Sequence, residues 1–150
     1  MAEKTKPQHS MSLGDLFKKA FKDIADIQVT LPDSLTPKEA TVTGERIIIP
    51  LLITPAYTNL ISAFAKLGGV ISAQLVRTGD ENIVTTIETT CAIPNYGNVA
   101  ILLNGSNKDF ALCVHPENPG RSGKKFHMKE SEMDVDNILM RITYTLGMAL

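Results

Sequence analysis

The stretch His115-Pro-Glu-Asn-Pro-Gly-Arg-Ser-Gly-Lys-Lys-Phe-His127 gathers residue types that do chemistry: two glycines, three cations and a histidine at each end, with Cys113 just upstream. Four chemistries use such a set. It could cradle a phosphate, hold a metal, activate the Cys113 thiol, or reach out as a basic finger.

The phosphate loop fails on composition. Aligning Gly123-Lys124 with the GK of a G-x-x-x-x-G-K-[ST] loop puts Asn118 at the first glycine and Lys125 at the hydroxyl position. The hydroxyl that would meet magnesium is lost, and Pro119 removes a backbone N–H donor from the cradle. The acidic run Glu130-Ser-Glu-Met-Asp-Val-Asp136 follows, where a helix start would have to attract an anion rather than repel it.

Metal binding finds too few ligands. Cys113 and His115 share one face of a strand, because side chains alternate. Zinc asks for three or four ligands. Cys91 could join them only if its strand lay adjacent and in register. The bland alternative is a buried cysteine and a strand-end histidine, so no metal and no cofactor is expected. As a nucleophile, Cys113 sits between Leu112 and Val114, not at a helix N-terminus or in an electropositive cleft. A small thiol enzyme using Cys113 is the weakest of the functional readings, and no catalytic residue is assigned.

The basic finger survives these tests. Residues 116–129 carry Arg121, Lys124, Lys125 and Lys129 against the single acid Glu117. Such a loop can contact phosphates or an acidic protein surface; it can equally be a solvated connection, and 116–131 reads as an exposed basic loop. Lys18, Lys19 and Lys22 could add to a nucleic-acid surface. Against that, the formal net charge at pH 7 is -1, there is no Trp, and aromatic residues make up 5%, which leaves little for base stacking.

The elements that must position these residues follow from periodicity. With 150 residues, 43% hydrophobic and 21% charged, the chain is sized and composed for one globular domain. Residues 1–11 read as a flexible arm and 12–150 as the domain. Leu13, Leu16, Phe17, Ala20, Phe21, Ile24 and Ile27 recur at helical spacing, predicting an amphipathic helix of about four turns. A short strand at 28–31 stops at Pro32. The run Arg46-Ile-Ile-Ile-Pro-Leu-Leu-Ile53 is the most apolar in the chain, and Pro50 marks an edge, bulge or bend in it. Thr54-Pro55 opens a second helix, and Gly68-Gly69 closes it. Strands follow at 70–77, 83–91, 98–104 and 109–115, joined by connectors rich in Gly, Asn and Asp, hence an antiparallel meander. Val99-Ala-Ile-Leu-Leu103 is apolar throughout and predicts a strand buried on both faces. Glu88 and Thr90 share a face that should see solvent or a partner. A last helix spans 132–147, with acids at its start.

The expected fold is therefore α+β, an antiparallel meander of about five strands packed with three helices. The expected function is a non-catalytic protein–protein interaction or assembly module, an adaptor or self-associating subunit. The apolar end Leu146-Gly-Met-Ala-Leu150 is costly to leave in water, so Leu146, Met148 and Leu150 are the candidate interface. Nucleic-acid or anion binding through 116–129 is the alternative. The polar N-terminus lacks the apolar core of an export signal, no run is long enough to span a bilayer, and the two cysteines read as reduced thiols. A cytoplasmic location is expected.

Overall fold

Phe17 and Phe21 stand one turn apart on α1 (Leu13–Phe21), and both rings close on Tyr57, with centroids 6.2 and 5.7 Å from it. All three side chains are buried, each contributing about 1.5–3 kcal/mol of apolar burial. The computed structural model describes residues 13–30, 49–77, 84–104 and 109–149. The expected N-terminal arm, residues 1–11, lies outside them.

Helix α1 is shorter than its periodicity predicts. It ends at Phe21, Ile24 reaches the surface, and Ile27 turns into strand β1 (Ile27–Thr30). The β-branched residues of β1 make a parallel ladder with β2 (Val70–Arg77), Ile27 opposite Ile71. A parallel pair needs a crossover. It includes a single helical turn, Ile49–Leu52, and helix α2 (Pro55–Lys66). The apolar run around Pro50 is thus helical over these residues, not extended. A proline in the first turn of a helix loses no hydrogen bond. Residues 46–48 lie outside the described set. At the start of α2 the Thr54 hydroxyl accepts the Tyr57 N–H at 3.4 Å. Gly68, with φ of 71°, turns the chain after Leu67.

From β2 the chain meanders through β3 (Val84–Ile93), β4 (Gly97–Asn104), β5 (Asp109–Pro116) and β6 (Lys124–Lys129), each antiparallel to the last. Among the described residues the sheet has six strands, in sequence order. The strand missing from the sequence-based expectation is β6, which takes residues 124–129 of the expected basic loop 116–131. The loop itself is confined to 117–123.

Helix α3 (Val135–Leu146) then crosses back over the sheet. The Asp134 carboxylate caps it by accepting the Asn137 N–H at 2.8 Å. Ile138, Ile142 and Leu146 join the core, while the Gly147 left-handed turn (φ 74°) ends the helix. No described helix is long and apolar enough to cross a membrane.

All of the core lies on one side of the sheet. Ile87 and Cys91 of β3, Ile101 and Leu103 of β4, and Leu112 and Val114 of β5 face the helices and are buried. No described element lies on the other side. The expectation that β4 is buried on both faces is therefore corrected: Leu102, at the middle of the sheet, is 53% exposed. Its apolar neighbours Ile101 and Leu103 belong to the core, and it does not.

Candidate functional site

The sequence-derived basic set divides over the two faces of the sheet. Along β6 side chains alternate, so Lys124, Phe126 and Met128 turn toward the helices, and Lys125, His127 and Lys129 turn away. Lys124 lies over the Tyr144 ring, its Nζ 5.4 Å from the centroid. Arg141 of α3 stacks over Phe126 at 5.6 Å and approaches Glu132 at 3.8 Å.

Arg121 has a structural partner. Its Nε donates to the Thr145 carbonyl at 3.0 Å and its Nη2 to the Tyr144 carbonyl at 2.9 Å. These are carbonyls of the last turn of α3, past which the helical ladder runs out; the Tyr144 carbonyl also receives the Gly147 N–H, at 3.4 Å. A guanidinium also suits the negative end of the helix dipole. The loop that carries it is folded on itself. Glu117 N–H donates to the Tyr96 carbonyl at 2.8 Å, and the Asn118 side chain accepts the Gly120 N–H at 2.8 Å. Of Arg121, Lys124, Lys125 and Lys129, the structure leaves Lys125 and Lys129 together on one face and ties the other two to α3.

The first-helix lysines lie elsewhere. Lys18 and Lys22 border a shallow cleft of about 530 Å3 between α1 and β1, with Asp26 among its walls. β1 and β6 are opposite edges of the sheet, about 24 Å apart at ~4.8 Å per strand. The two basic groups do not form one surface.

The cysteines are separated as well. Cys113 and His115 do share the open face of β5, with Cys113 half-buried and His115 exposed. Cys91 lies on β3, with β4 between, and on the opposite, covered face. Its Sγ is 3.9 Å from the Phe64 carbonyl, and burial pushes its thiol up to about 12. A buried thiol whose pKa is raised is a poor nucleophile near neutral pH. Among the described residues, no group of three or more His, Cys, Asp or Glu is placed to hold a metal. The buried polar pair in the core is Tyr57 and Thr89, whose hydroxyls meet at 3.0 Å. Burial raises the Tyr57 pKa, and the bond to Thr89 offsets part of that rise. Both groups satisfy each other beneath the helices.

The apolar C-terminus is largely accounted for within the chain. Leu146 is buried in the core and Met148 packs half-buried against it. Leu150 lies outside the described residues.

What remains is the open face of the sheet. At its centre are small side chains, Thr90, Ala100, Ala111 and Cys113, around the exposed Leu102. Register places them as neighbours: Thr90 opposite Ala100, Ala100 opposite Cys113, and Leu102 opposite Ala111. Lys125 flanks this patch on the β6 side, paired with Cys113, and His127 pairs with Ala111. On the β3 side Glu88 pairs with Leu102. Sequence reading placed Glu88 and Thr90 on this face and missed Leu102. Its signal, one large apolar residue among small ones at alternate positions, is hidden by the apolar run 99–103.

The chain matches no protein-family model, no curated protein and no solved structure.

Proposed function

We propose that the protein is a non-catalytic interaction or assembly module that docks a protein through the open face of its sheet. One observation carries this reading: Leu102 stands 53% exposed on the uncovered face, between Ala111 of β5 and Glu88 of β3, beside the small side chains Thr90, Ala100 and Cys113. An apolar centre inside a polar rim is the anatomy of a protein interface. Two thiols on opposite faces of the sheet, neither in a disulfide, fit a reducing compartment, and we place the protein in the cytoplasm.

Absolute mass in solution tests the reading, measured by light scattering over a concentration series on the wild-type chain and on Leu102→Asp. Assembly that Leu102→Asp abolishes supports it. Assembly that Leu102→Asp leaves intact refutes open-face docking.

A second reading has its own observation. Lys125, Lys129, His115 and His127 all project from the same face, on neighbouring strands, which is a surface an anion or nucleic acid could use. The ratio of nucleic-acid to protein absorbance separates the two. With no Trp and three Tyr, a small amount of bound nucleic acid dominates it. Salt-sensitive binding lost in a Lys125→Glu/Lys129→Glu variant would put this reading first.

A further inference from the structure

We infer that the partner on the open sheet face is a second copy of this chain, packed face to face about a two-fold axis that runs parallel to the strands between β4 and β5. The inference rests on the open face being a docking surface and adds which molecule docks there.

Among the open-face residues whose side chains are described, the acid is Glu88 on β3 and the lysines are Lys125 and Lys129 on β6; Asp109 of β5 stands at the register position beside Lys129. Two copies can stack their sheets about a two-fold axis lying in the interface, either across the strands or along them. An axis across the strands lays β6 on β6 and opposes the lysines to one another. An axis along the strands and midway between β4 and β5 lays β6 of each copy on β3 of the other. Each Glu88 then lies over His127 of the second copy, between Lys125 and Lys129, and symmetry makes the contact twice. The same charge pattern disfavours the first arrangement and favours the second.

Shape agrees with charge. A two-fold axis along the strands keeps each residue level along the strand. Leu102 and Ala111 are register partners on β4 and β5, so the axis between them places Leu102 of one copy on Ala111 of the other. The exposed knob meets a methyl-sized depression, again twice. Ala100 and Cys113, the next register pair, meet likewise and let the sheets approach at the ordinary ~10 Å separation of stacked sheets. Thr90 and Asn98 add polar edges at the border of the patch.

The four strands from β3 to β6 span ~19 Å, and three to four outward residues per strand extend ~24 Å, giving a flat area on the order of 450 Å2 per copy. That is about half of the ~800 Å2 per partner of a standard interface, in the range of weak, transient contacts. The dimer is therefore expected to dissociate on dilution.

The experiment uses the full chain in sedimentation equilibrium or light scattering, up to about 1 mM. The expected result is a concentration-dependent rise from 16.3 kDa toward twice that mass. Leu102→Asp and Glu88→Lys should each weaken association at least tenfold, with far-UV dichroism and melting temperature retained because both positions face solvent in the single chain. The decisive variant combines Glu88→Lys with Lys125→Glu and Lys129→Glu, which reverses both sides of the contact. Restored association supports the stated axis. Association that Glu88→Lys does not weaken, or that the triple variant does not restore, overturns it. A wild-type chain that stays monomeric throughout overturns the second copy as partner while open-face docking stands. Open-face docking fails separately if the native size of the tagged chain in cell extract is the same with Leu102 and with Asp at that position.

Discussion

The Arg121 guanidinium occupies the space beside the Gly147 α-carbon: a Cβ at Gly147 would stand 2.8 Å from Arg121 Cζ. The glycine does two things at once. Its left-handed backbone, φ of 74°, ends α3, and its missing side chain admits the arginine that bonds the Tyr144 and Thr145 carbonyls. The loop that looks like a free basic finger in the sequence is fastened to the end of the last helix by its own arginine.

Gly147→Ala is expected to destabilise the fold by about 1–2 kcal/mol, from the left-handed backbone and the displaced guanidinium together. Arg121→Ala should lose about 1 kcal/mol, a modest figure because the side chain is largely exposed. Since the two residues share one space, the double variant should fall short of the sum. Urea unfolding of the three variants measures this, and strict additivity would contradict the contact.

Tyr57 and Thr89 offer a test of the core. Tyr57→Phe leaves the Thr89 hydroxyl buried without its partner, and Thr89→Val does the same to the Tyr57 hydroxyl. Each single change should lose about 1–3 kcal/mol, the desolvation penalty of an orphaned hydroxyl. Tyr57→Phe with Thr89→Val removes both and should be less destabilising than the singles added together. A double-mutant cycle in guanidinium reads the coupling, and none would mean that the bond does not form.

Alkaline stability should reflect Cys91. Its thiol goes from 9.0 in an unfolded reference to about 12 in the fold, with burial as the cause. In that window the folded chain holds a proton that the unfolded chain releases. The contribution is complete below pH 9.0 and is lost as pH rises toward about 12. Unfolding free energy should fall with pH there, by at most about 1.4 kcal/mol per pH unit from this group. Tyr57 adds a fall of the same sign above its ordinary value of 10.0. Cys91→Ala should flatten the slope that begins near pH 9.0; an unchanged slope would show that the thiol ionises as freely in the fold as outside it.

How much of this was legible depended on whether a signal was local. Thr54-Pro55 and Gly68 mark helix ends by their own backbone chemistry, and the structure uses them in that way; the last helix, expected over 132–147, runs instead from Val135, behind its cap Asp134, to Leu146, before Gly147. The four meander strands were legible because turn residues bracket alternating runs. Lys124-Lys-Phe-His-Met-Lys129 also alternates, with Phe126 and Met128 inward, but its charges pointed to a loop. Edge strands tolerate lysine because it discourages further pairing, so the composition that hid β6 also suits its place at the edge. The open face was illegible for a different reason. Whether Leu102 is core or surface depends on which side three helices choose, and residues 99–103 are apolar in both directions. Charge alone could not show that Arg121 faces carbonyls or that Lys124 faces a ring, since both contacts come from the far end of α3.

Cys113 gives the open face a chemical reporter. It is half-buried on the uncovered side, while Cys91 lies under the helices with its sulfur packed against the Gly69 α-carbon, where a Cβ would collide with it. A thiol reagent added to the folded protein should label one cysteine promptly and the other only on unfolding. Cys113→Ser should abolish the prompt phase, whereas Cys91→Ser should leave it. The rate also carries information on assembly. Face-to-face packing lays Cys113 against Ala100 of the second copy, so labelling should slow as protein concentration rises and recover on dilution. Leu102→Asp should remove that dependence without changing the dilute rate. A prompt phase independent of concentration, in a sample that light scattering shows to be dimeric, would mean that the dimer forms through another surface.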